Sequence, residues 1–445
     1  MRWKPTQPKA PTVTCKLRGA ALNFNGALIL VPMLRHLLGI IRQSTIGGLV
    51  PVDEAIAFRK LVGHALMGFA AVHTVAHLLN YTTLPEAMTF YLFQTHAGLT
   101  GVLLLVVFLV MWVCALEFVR RSGRFELFYF THFGFVLWFI LALMHGPVFW
   151  QWVLLPVLGY VLERLIRFRR THRAMPINAM APLASGVTRL ELEIPETLRY
   201  QPGDYVFVKC PAVSRHEWHP FTVTTAPEES GRLSVHVRGL GNWTRKLNAV
   251  AKARAADPAA PAGVAYLDGP YGTPSTHIFA SKVAVLIGAG IGVTPFAAIL
   301  KSIFLRREAG IETPTVEKVH FIWMNRDQFS FKWFSDMLGD LERQDPDGDL
   351  LDTQVYLTGV KLDMTSAMLD VAMDVYQAET KRDLFTGLRN RTNLDRPRWP
   401  EIFKGLAREH DGKQVDIYFC GPPALAAQLS RLAAQNGFGF RKENF

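Results

Sequence analysis

The chain has 445 residues, half of them hydrophobic, 19% charged, with a formal net charge of +11. A mean hydropathy of +0.16 fits neither a disordered tail nor one soluble domain, so two or more folding units are expected. No Lys/Arg run is interleaved with aromatics, which argues against a nucleic-acid partner and for a membrane surface.

The first 18 residues carry five basic side chains, Arg2, Lys4, Lys9, Lys16 and Arg18, and no apolar core followed by a cleavage site, so no cleavable signal peptide is read. Five apolar stretches follow, each near the ~20 residues that cross a ~30 Å hydrocarbon core: Ala20 to Ile41, Leu61 to Leu79, Leu99 to Leu116, Phe125 to Met144 and Val148 to Phe168. Arg59, Lys60, Arg120, Arg121, Arg124, Arg167, Arg169, Arg170 and Arg173 fall on one side, while the loops Asn80 to His96 and Gly146 to Gln151 carry no Lys or Arg. That asymmetry puts the C-terminal half in the cytoplasm. Five spans would then place the basic N-terminus outside, against the same rule, so the expectation is either a preceding span absent from this sequence, the favoured alternative, or a segment translocated despite its charge.

Ionisable groups at membrane depth are costly and tend to carry function. His64, His73 and His77 lie in the second span, His132 and His145 in the fourth. Neutral imidazole is a common haem ligand, and 13 residues of helix separate His132 from His145 by about 20 Å, with about 140° between their directions. Packing roles remain open for each histidine. His96 reads as interfacial, and Trp112, Trp138, Trp150 and Trp152 read as interface or packing residues.

Beyond Arg173 the composition changes. Ala174 to Gly186 reads as a Pro/Ala linker, and Leu190 to Ile194, Tyr205 to Lys209 and Leu233 to Val237 read as strands of a small antiparallel barrel. From Lys282 a β-rich run, the turn Gly288-Ala-Gly290-Ile-Gly292 and a helix opening Thr294-Pro295 predict a parallel α/β domain, with strands at Val319 to Met324 and Val415 to Phe419. The glycine turn gives a pyrophosphate backbone room at a helix N-terminus. Cys420-Gly421-Pro422 is a second turn of this kind. Leu362 to Pro400 reads as a helix plus a nucleotide-proximal loop. Cys15, Cys114, Cys210 and Cys420 share no short spacing, so neither a disulfide framework nor a zinc-cysteine site is read.

Together, HPFTVTTAPEES (His219 to Ser230), DGPYGTPS (Asp268 to Ser275), IGAGIGVTPFAAILKSI, YFCGPPAL and the terminal KENF resemble the catalytic core of the NADPH oxidase family, the ferric-reductase-like transmembrane flavocytochromes. LNFNGALILVPMLRHLL, VHTVAHLLN, AGLTGVLLL, FELFYFTHFGFVLWFILALMHG and YVLERLIRF resemble its membrane helices, so the likeness runs from Leu22 to Phe445.

The resemblance implies a helical transmembrane haem domain (1–173), an antiparallel FAD-binding barrel (174–280) and a Rossmann-like NADPH domain (281–445) of ferredoxin-NADP reductase type. It implies haem b on His132 at the inner face and on His73 and His145 at the outer, with His77 and Arg35 where oxygen is reduced. It assigns FAD to His219, Pro220, Phe221 and Thr222, assisted by Arg238, Trp243 and Thr244, with Phe445 stacked on the isoalloxazine. NADPH falls to Gly288, Gly290, Gly292, Thr294, Pro295, Cys420, Gly421 and Pro422, with Arg326 and Arg396 near the 2′-phosphate.

Electrons would pass from NADPH through FAD and haem to molecular oxygen on the outer side of a plasma or bacterial inner membrane, giving superoxide or peroxide. A ferric or metal-chelate reductase and a non-catalytic membrane subunit remain alternatives, and regulatory subunits or an oligomer stay open. One departure concerns the inner haem: Arg59 stands 14 residues before His73, where the family places a ligand. That haem is then five-coordinate, ligated by His64 after helix rotation, or missing. No calcium loop of the D-x-D-x-D-G type precedes the core.

Overall fold

The computed structural model describes residues 13–43, 52–120, 125–171, 173–257, 263–311, 316–359 and 364–443. Two compact units divide the chain, Met1–Ile166 and Arg167–Phe445.

The first unit is helical: α1 (Val13–Leu28), α2 (Arg35–Gln43), α3 (Ala55–Tyr81), α4 (Met88–Phe93), α5 (His96–Ala115), α6 (Glu117–Arg120), α7 (Phe125–His132), α8 (Gly134–His145) and α9 (Phe149–Thr171). Among the described residues four helices are long and apolar enough to cross a membrane, at Ala55–Tyr81, His96–Ala115, Glu126–His145 and Phe149–Arg169. Their outer surfaces are apolar: Leu103, Val106, Leu109 and Val110 of α5 and Leu155, Leu158 and Leu162 of α9 are exposed, as lipid-facing positions must be.

The first expected span, Ala20 to Ile41, is not one straight helix. It breaks into Gly19–Met33 and Arg35–Arg42, bent by 74°. Pro32 sits in the 3₁₀ turn Val31–Met33, and Leu34 (φ −83°, ψ 72°) leaves the helical region. Proline cannot donate the intrahelical bond, so the helix ends there.

In the second unit a barrel comes first: β1 (Ala174–Pro182), β2 (Val187–Glu193), β3 (Tyr205–Lys209), β4 (His219–Thr222), β5 (Arg232–Arg238), α10 (Asn242–Ala256) and β6 (Val264–Tyr271). The strand order is β4-β3-β6-β1-β2-β5, every pair antiparallel. A bridge between Val223 and Val235 brings the ends of that order together. The expected linker Ala174 to Gly186 is thus corrected: its first nine residues form β1, between β6 and β2. Met175, Ile177 and Met180 point into the core, which supplies the burial that the small, proline-bearing sequence conceals.

The nucleotide half contains β7 (Val283–Ala289), α11 (Thr294–Glu308), β8 (Lys318–Asn325), α12 (Lys332–Gln344), β9 (Leu351–Leu357), α13 (Met364–Thr380), α14 (Trp399–Glu409), β10 (Val415–Cys420), α15 (Pro423–Gln435) and β11 (Gly439–Lys442). Its sheet is parallel throughout, in the order β11-β10-β7-β8-β9. Along β7, Ala284 and Leu286 pack with Phe296, Phe304, Phe334 and Leu338 from α11 and α12. Val283, Val285 and Ile287 pack with Trp399, Phe403, Ala426 and Leu429 from α14 and α15. Burial on both faces explains the unbroken apolar run. The order reverses between β7 and β10, and open α/β sheets bind ligands outside the carboxyl ends at such a point.

Candidate functional site

In the helical unit, α3 and α8 bring two predicted ligands together. The His73 and His145 rings lie 6.3 Å apart between centroids, and His77 stands 4.5 Å from His73. Metal–nitrogen bonds of about 2 Å on either side of one iron set two ring centroids about 6 Å apart, so this spacing fits a shared metal. Thr100 Oγ1 lies 3.0 Å from His145 Nδ1 and donates its own proton to the His96 carbonyl at 2.7 Å. With its hydrogen spent, that hydroxyl accepts from Nδ1–H, and the His145 Nε2 lone pair is left for a metal. Gly101 keeps the ring's space open, because a Cβ there would stand 3.0 Å from His145 Cε1. Beyond His77 come Tyr81, at 5.9 Å, and Tyr91, stacked on Tyr81 at 5.2 Å.

The inner position is built differently. The ring against His132 among the described residues is Phe128, at 5.1 Å. Arg59 lies within electrostatic reach of His132, Arg35 and Arg120. His64 accepts the Trp112 Nε1–H on Nδ1 at 3.0 Å. Indole is a donor only, so the neutral His64 carries its proton on Nε2 and has no spare lone pair for iron. Among the described residues no second imidazole is brought against His132, and His64 as placed has Nδ1 engaged by Trp112.

Arg35 is not brought to His77. It neighbours Arg59, which lies 18 residues, about 27 Å along α3, from His77. The backbone of His36 donates to Glu163, deep in α9, at 2.9 Å. The bend after Val31–Met33 is what turns this segment away from the direction a straight span would have taken.

In the second unit, His219 and Phe221 on one face of β4 stack on Trp243 of α10, with centroids 4.5 and 5.7 Å away. Pro220 and Thr222 occupy the alternate face, Thr222 buried. The indole Nε1 of Trp243 is buried with no hydrogen-bond partner among the described residues, an orphaned donor beside the predicted flavin strand. His219 Nε2 meets Glu217 Oε2 at 3.1 Å, and that hydrogen bond holds the Glu217 carboxyl below its usual range. Thr244 serves the helix itself, since its Oγ1 accepts from Gly241 N at 2.8 Å and donates to Gly241 O, closing the start of α10. Asp268, 1% exposed, accepts from Arg167 Nε and Tyr271 Oη, each at 2.8 Å.

At the carboxyl ends of β7 and β10, Gly288 pairs in register with Cys420. Gly290 adopts φ +61°, and a Cβ there would stand 3.6 Å from both Arg238 Nη1 and Asn325 Oδ1. The Asn325 Nδ2 is buried and partnerless among the described residues. A guanidinium and an unsatisfied amide thus converge on a turn that opens α11, as an anion would require. Gly292 is glycine for another reason: a Cβ would stand 2.4 Å from the Cys420 carbonyl oxygen. Thr294 and Pro295 begin α11, with proline in its first turn, where its missing donor costs nothing. Gly421 fits against Ala289 and Phe419, and Pro422 precedes α15.

Burial, reinforced by the charge of Glu443, pushes the Cys420 thiol well up, so it is a packing residue and not a nucleophile. Glu443 accepts from Ser275 N at 3.0 Å and also from the Ser275 hydroxyl. Phe445 lies outside the described residues.

Arg326 follows β8 directly and is exposed. Asn393 pairs in parallel with Tyr356 of β9, and Arg396, three residues on, is exposed. His236 was missed in the sequence: it is buried, stacked on Trp333 at 4.5 Å and 2.9 Å from Thr224 Oγ1. Burial first, then the charges of Arg189 and Lys301, push its pKa down to about 3. Thr100 and Trp112 were likewise invisible as hydrogen-bond partners, since only the packing of α5 against α3 and α8 brings them to His64 and His145.

Comparison with known proteins agrees in all three parts of the chain. Residues 25–143 match the ferric reductase like transmembrane component, 173–275 an FAD-binding domain, and 281–434 the ferric reductase NAD binding domain. The chain is 37% identical to NADPH oxidase 5 of Homo sapiens over 98% of its own length and 66% of the relative's. It is 35% identical to a superoxide-generating NADPH oxidase heavy chain of Dictyostelium discoideum, covering 97% of this chain and 90% of that one. Dual oxidase 2 of Sus scrofa is 32% identical, and the chain spans 30% of its length.

Proposed function

This chain belongs to the NADPH oxidase family, and on that premise we propose that it takes electrons from NADPH and delivers them across a membrane to molecular oxygen, releasing superoxide. The observation that carries the reading is the His73–His145 pair, spaced for one shared iron, in a chain whose relatives include a superoxide-generating NADPH oxidase. When bound, FAD and haem b supply the change from a two-electron donor to single electrons and their onward passage.

The chain's residues bind, orient and insulate. Gly290 and Asn325 would hold the NADPH pyrophosphate, Arg238 would assist the flavin with its guanidinium beside the same turn, and Arg326 and Arg396 would meet the 2′-phosphate as planar guanidinium groups. His219, Pro220, Phe221 and Thr222 line the flavin, with Trp243 behind them. His73 and His145 would hold the outer haem, with Thr100 fixing the His145 tautomer. His77, against His73, stands where oxygen would approach. Arg35 lies within electrostatic reach of Arg59. Among the described residues, the ring against His132 is that of Phe128, with no second imidazole beside it. The charge asymmetry of the loops supports a cytoplasmic second unit.

The full chain, purified in detergent and given NADPH, tests this. Cytochrome c reduction abolished by superoxide dismutase is expected, with one haem per chain by pyridine haemochrome. Ferric-chelate reduction indifferent to dismutase, without superoxide, refutes oxygen as acceptor and favours the ferric reading. Absence of both flavin and haem refutes the redox conduit.

A further inference from the structure

We propose that His320, Glu409 and His410 form a divalent transition-metal site, of the zinc class, at the amino-terminal edge of the parallel sheet. His320 lies near the start of β8, and Glu409 and His410 close α14. Five residues of strand, about 16 Å, separate His320 from Asn325 at the nucleotide edge, so this cluster is distinct from the redox machinery.

The three donor atoms lie within 4.8 Å of one another. His320 Nε2 is 2.8 Å from His410 Nε2, and Glu409 Oε1 is 3.7 Å from the first and 3.5 Å from the second. A tetrahedral ion with bonds of about 2.0–2.1 Å places its ligands about 3.3–3.4 Å apart. The observed edges bracket that value, and closing onto it needs shifts of about half an ångström.

The surroundings are those of a supported ligand set. His320 Nδ1 lies 3.2 Å from Asp352 Oδ2, the carboxylate–histidine pairing that orients a ligating imidazole. Asp352 is held in turn by Gln354 Nε2 at 3.2 Å and Asn390 Nδ2 at 3.0 Å. The two imidazoles are buried, with 4% and 8% of their side chains exposed, whereas Glu409 is 53% exposed. That leaves an entry path and a fourth position for water. The nearby cations are engaged elsewhere: Lys413 Nζ binds Glu317 at 2.7 Å, and Lys318 Nζ donates to the Gly348 carbonyl at 2.7 Å. Two nitrogens and one carboxylate suit zinc better than calcium, magnesium or copper(I). A bound ion would staple β8 to α14. The competing arrangement is a plain hydrogen bond from one imidazole to the other.

Zinc and cobalt(II) binding to the chelator-treated full chain decides between them. The wild type is expected to take up one more zinc ion per chain than H410N, to show the intense visible bands of tetrahedral cobalt(II), and to melt at higher temperature with zinc. E409Q, on an exposed side chain, should weaken zinc at least ~10-fold while folding as the wild type does, so the test does not depend on H410N. Equal zinc uptake in wild type and E409Q, without tetrahedral cobalt bands or a zinc-dependent melting shift, overturns the proposal.

Discussion

Replacing Gly292 by alanine tests the reading of the nucleotide turn most directly. The added Cβ would stand 2.4 Å from the Cys420 carbonyl oxygen, 2.9 Å from its carbon and 3.2 Å from its Sγ. The nearest obstacles are backbone atoms of β10, so no side-chain rotation relieves them. The ends of β7 and β10 must part by at least about 0.6 Å, and overpacking of this kind costs about 1–3 kcal/mol. Gly290→Ala perturbs the same turn by another route. There a Cβ finds only ordinary contacts, 3.6 Å from Arg238 and Asn325, but at φ +61°, a left-handed strain of about 1–2 kcal/mol.

The two variants therefore separate clash from strain. Gly292→Ala widens the crevice itself, so the Kd for NADPH should rise roughly ten-fold or more, since ~1.4 kcal/mol is a decade. Haem content and flavin content should stay unchanged. Gly290→Ala should lower the melting temperature and, with its Cβ between Arg238 and Asn325 where the pyrophosphate is proposed to sit, raise the Kd without parting the strand ends. Titration of tryptophan fluorescence with NADPH, beside absorption spectra of both cofactors, reads all three quantities. An unchanged Kd in Gly292→Ala would refute the claim that the nucleotide occupies the crevice between β7 and β10.

Two further outcomes follow from one buried histidine and one hydrogen bond already described. His236 is held neutral, its pKa near 3 when folded against about 6.5 when unfolded; its stabilisation is complete above about pH 6.5 and lost as pH falls toward 3, at up to ~1.4 kcal/mol per unit. His236→Phe should flatten the acid limb of the thermal-unfolding profile between about pH 6 and 4, and identical limbs would contradict the assignment. Thr100→Val should loosen haem retention about 10–100-fold and alter its low-spin spectrum, with Thr100→Ser restoring both. Unchanged spectra and haem affinity in Thr100→Val would remove Thr100 from the site.

The spans were legible because lipid-facing helices must be apolar nearly all round, and the strands of the parallel sheet because burial on both faces leaves no alternation. Tyr205 to Lys209 matches its strand to the residue. The glycine turn was legible too, though spacing cannot tell that Gly290 answers to φ and Gly292 to a carbonyl. What escaped was tertiary. The tautomers of His64 and His145 depend on Trp112 and Thr100, 48 and 45 residues away. The 74° bend that sets where Arg35 lies was not legible from the apolar run either. The His320, Glu409 and His410 cluster joins residues up to 90 positions apart.

The strand Ala174–Pro182 has a practical consequence for anyone dissecting the protein. It sits inside the barrel, paired on one side with β6 and on the other with β2. A reductase fragment begun at Val187, where the composition suggests a clean cut, would lose an interior stave and expose two raw sheet edges to self-association. A fragment begun at Arg167 keeps that stave and the partner of Asp268 together, so the residues most easily mistaken for a tether decide whether the second unit can be handled alone.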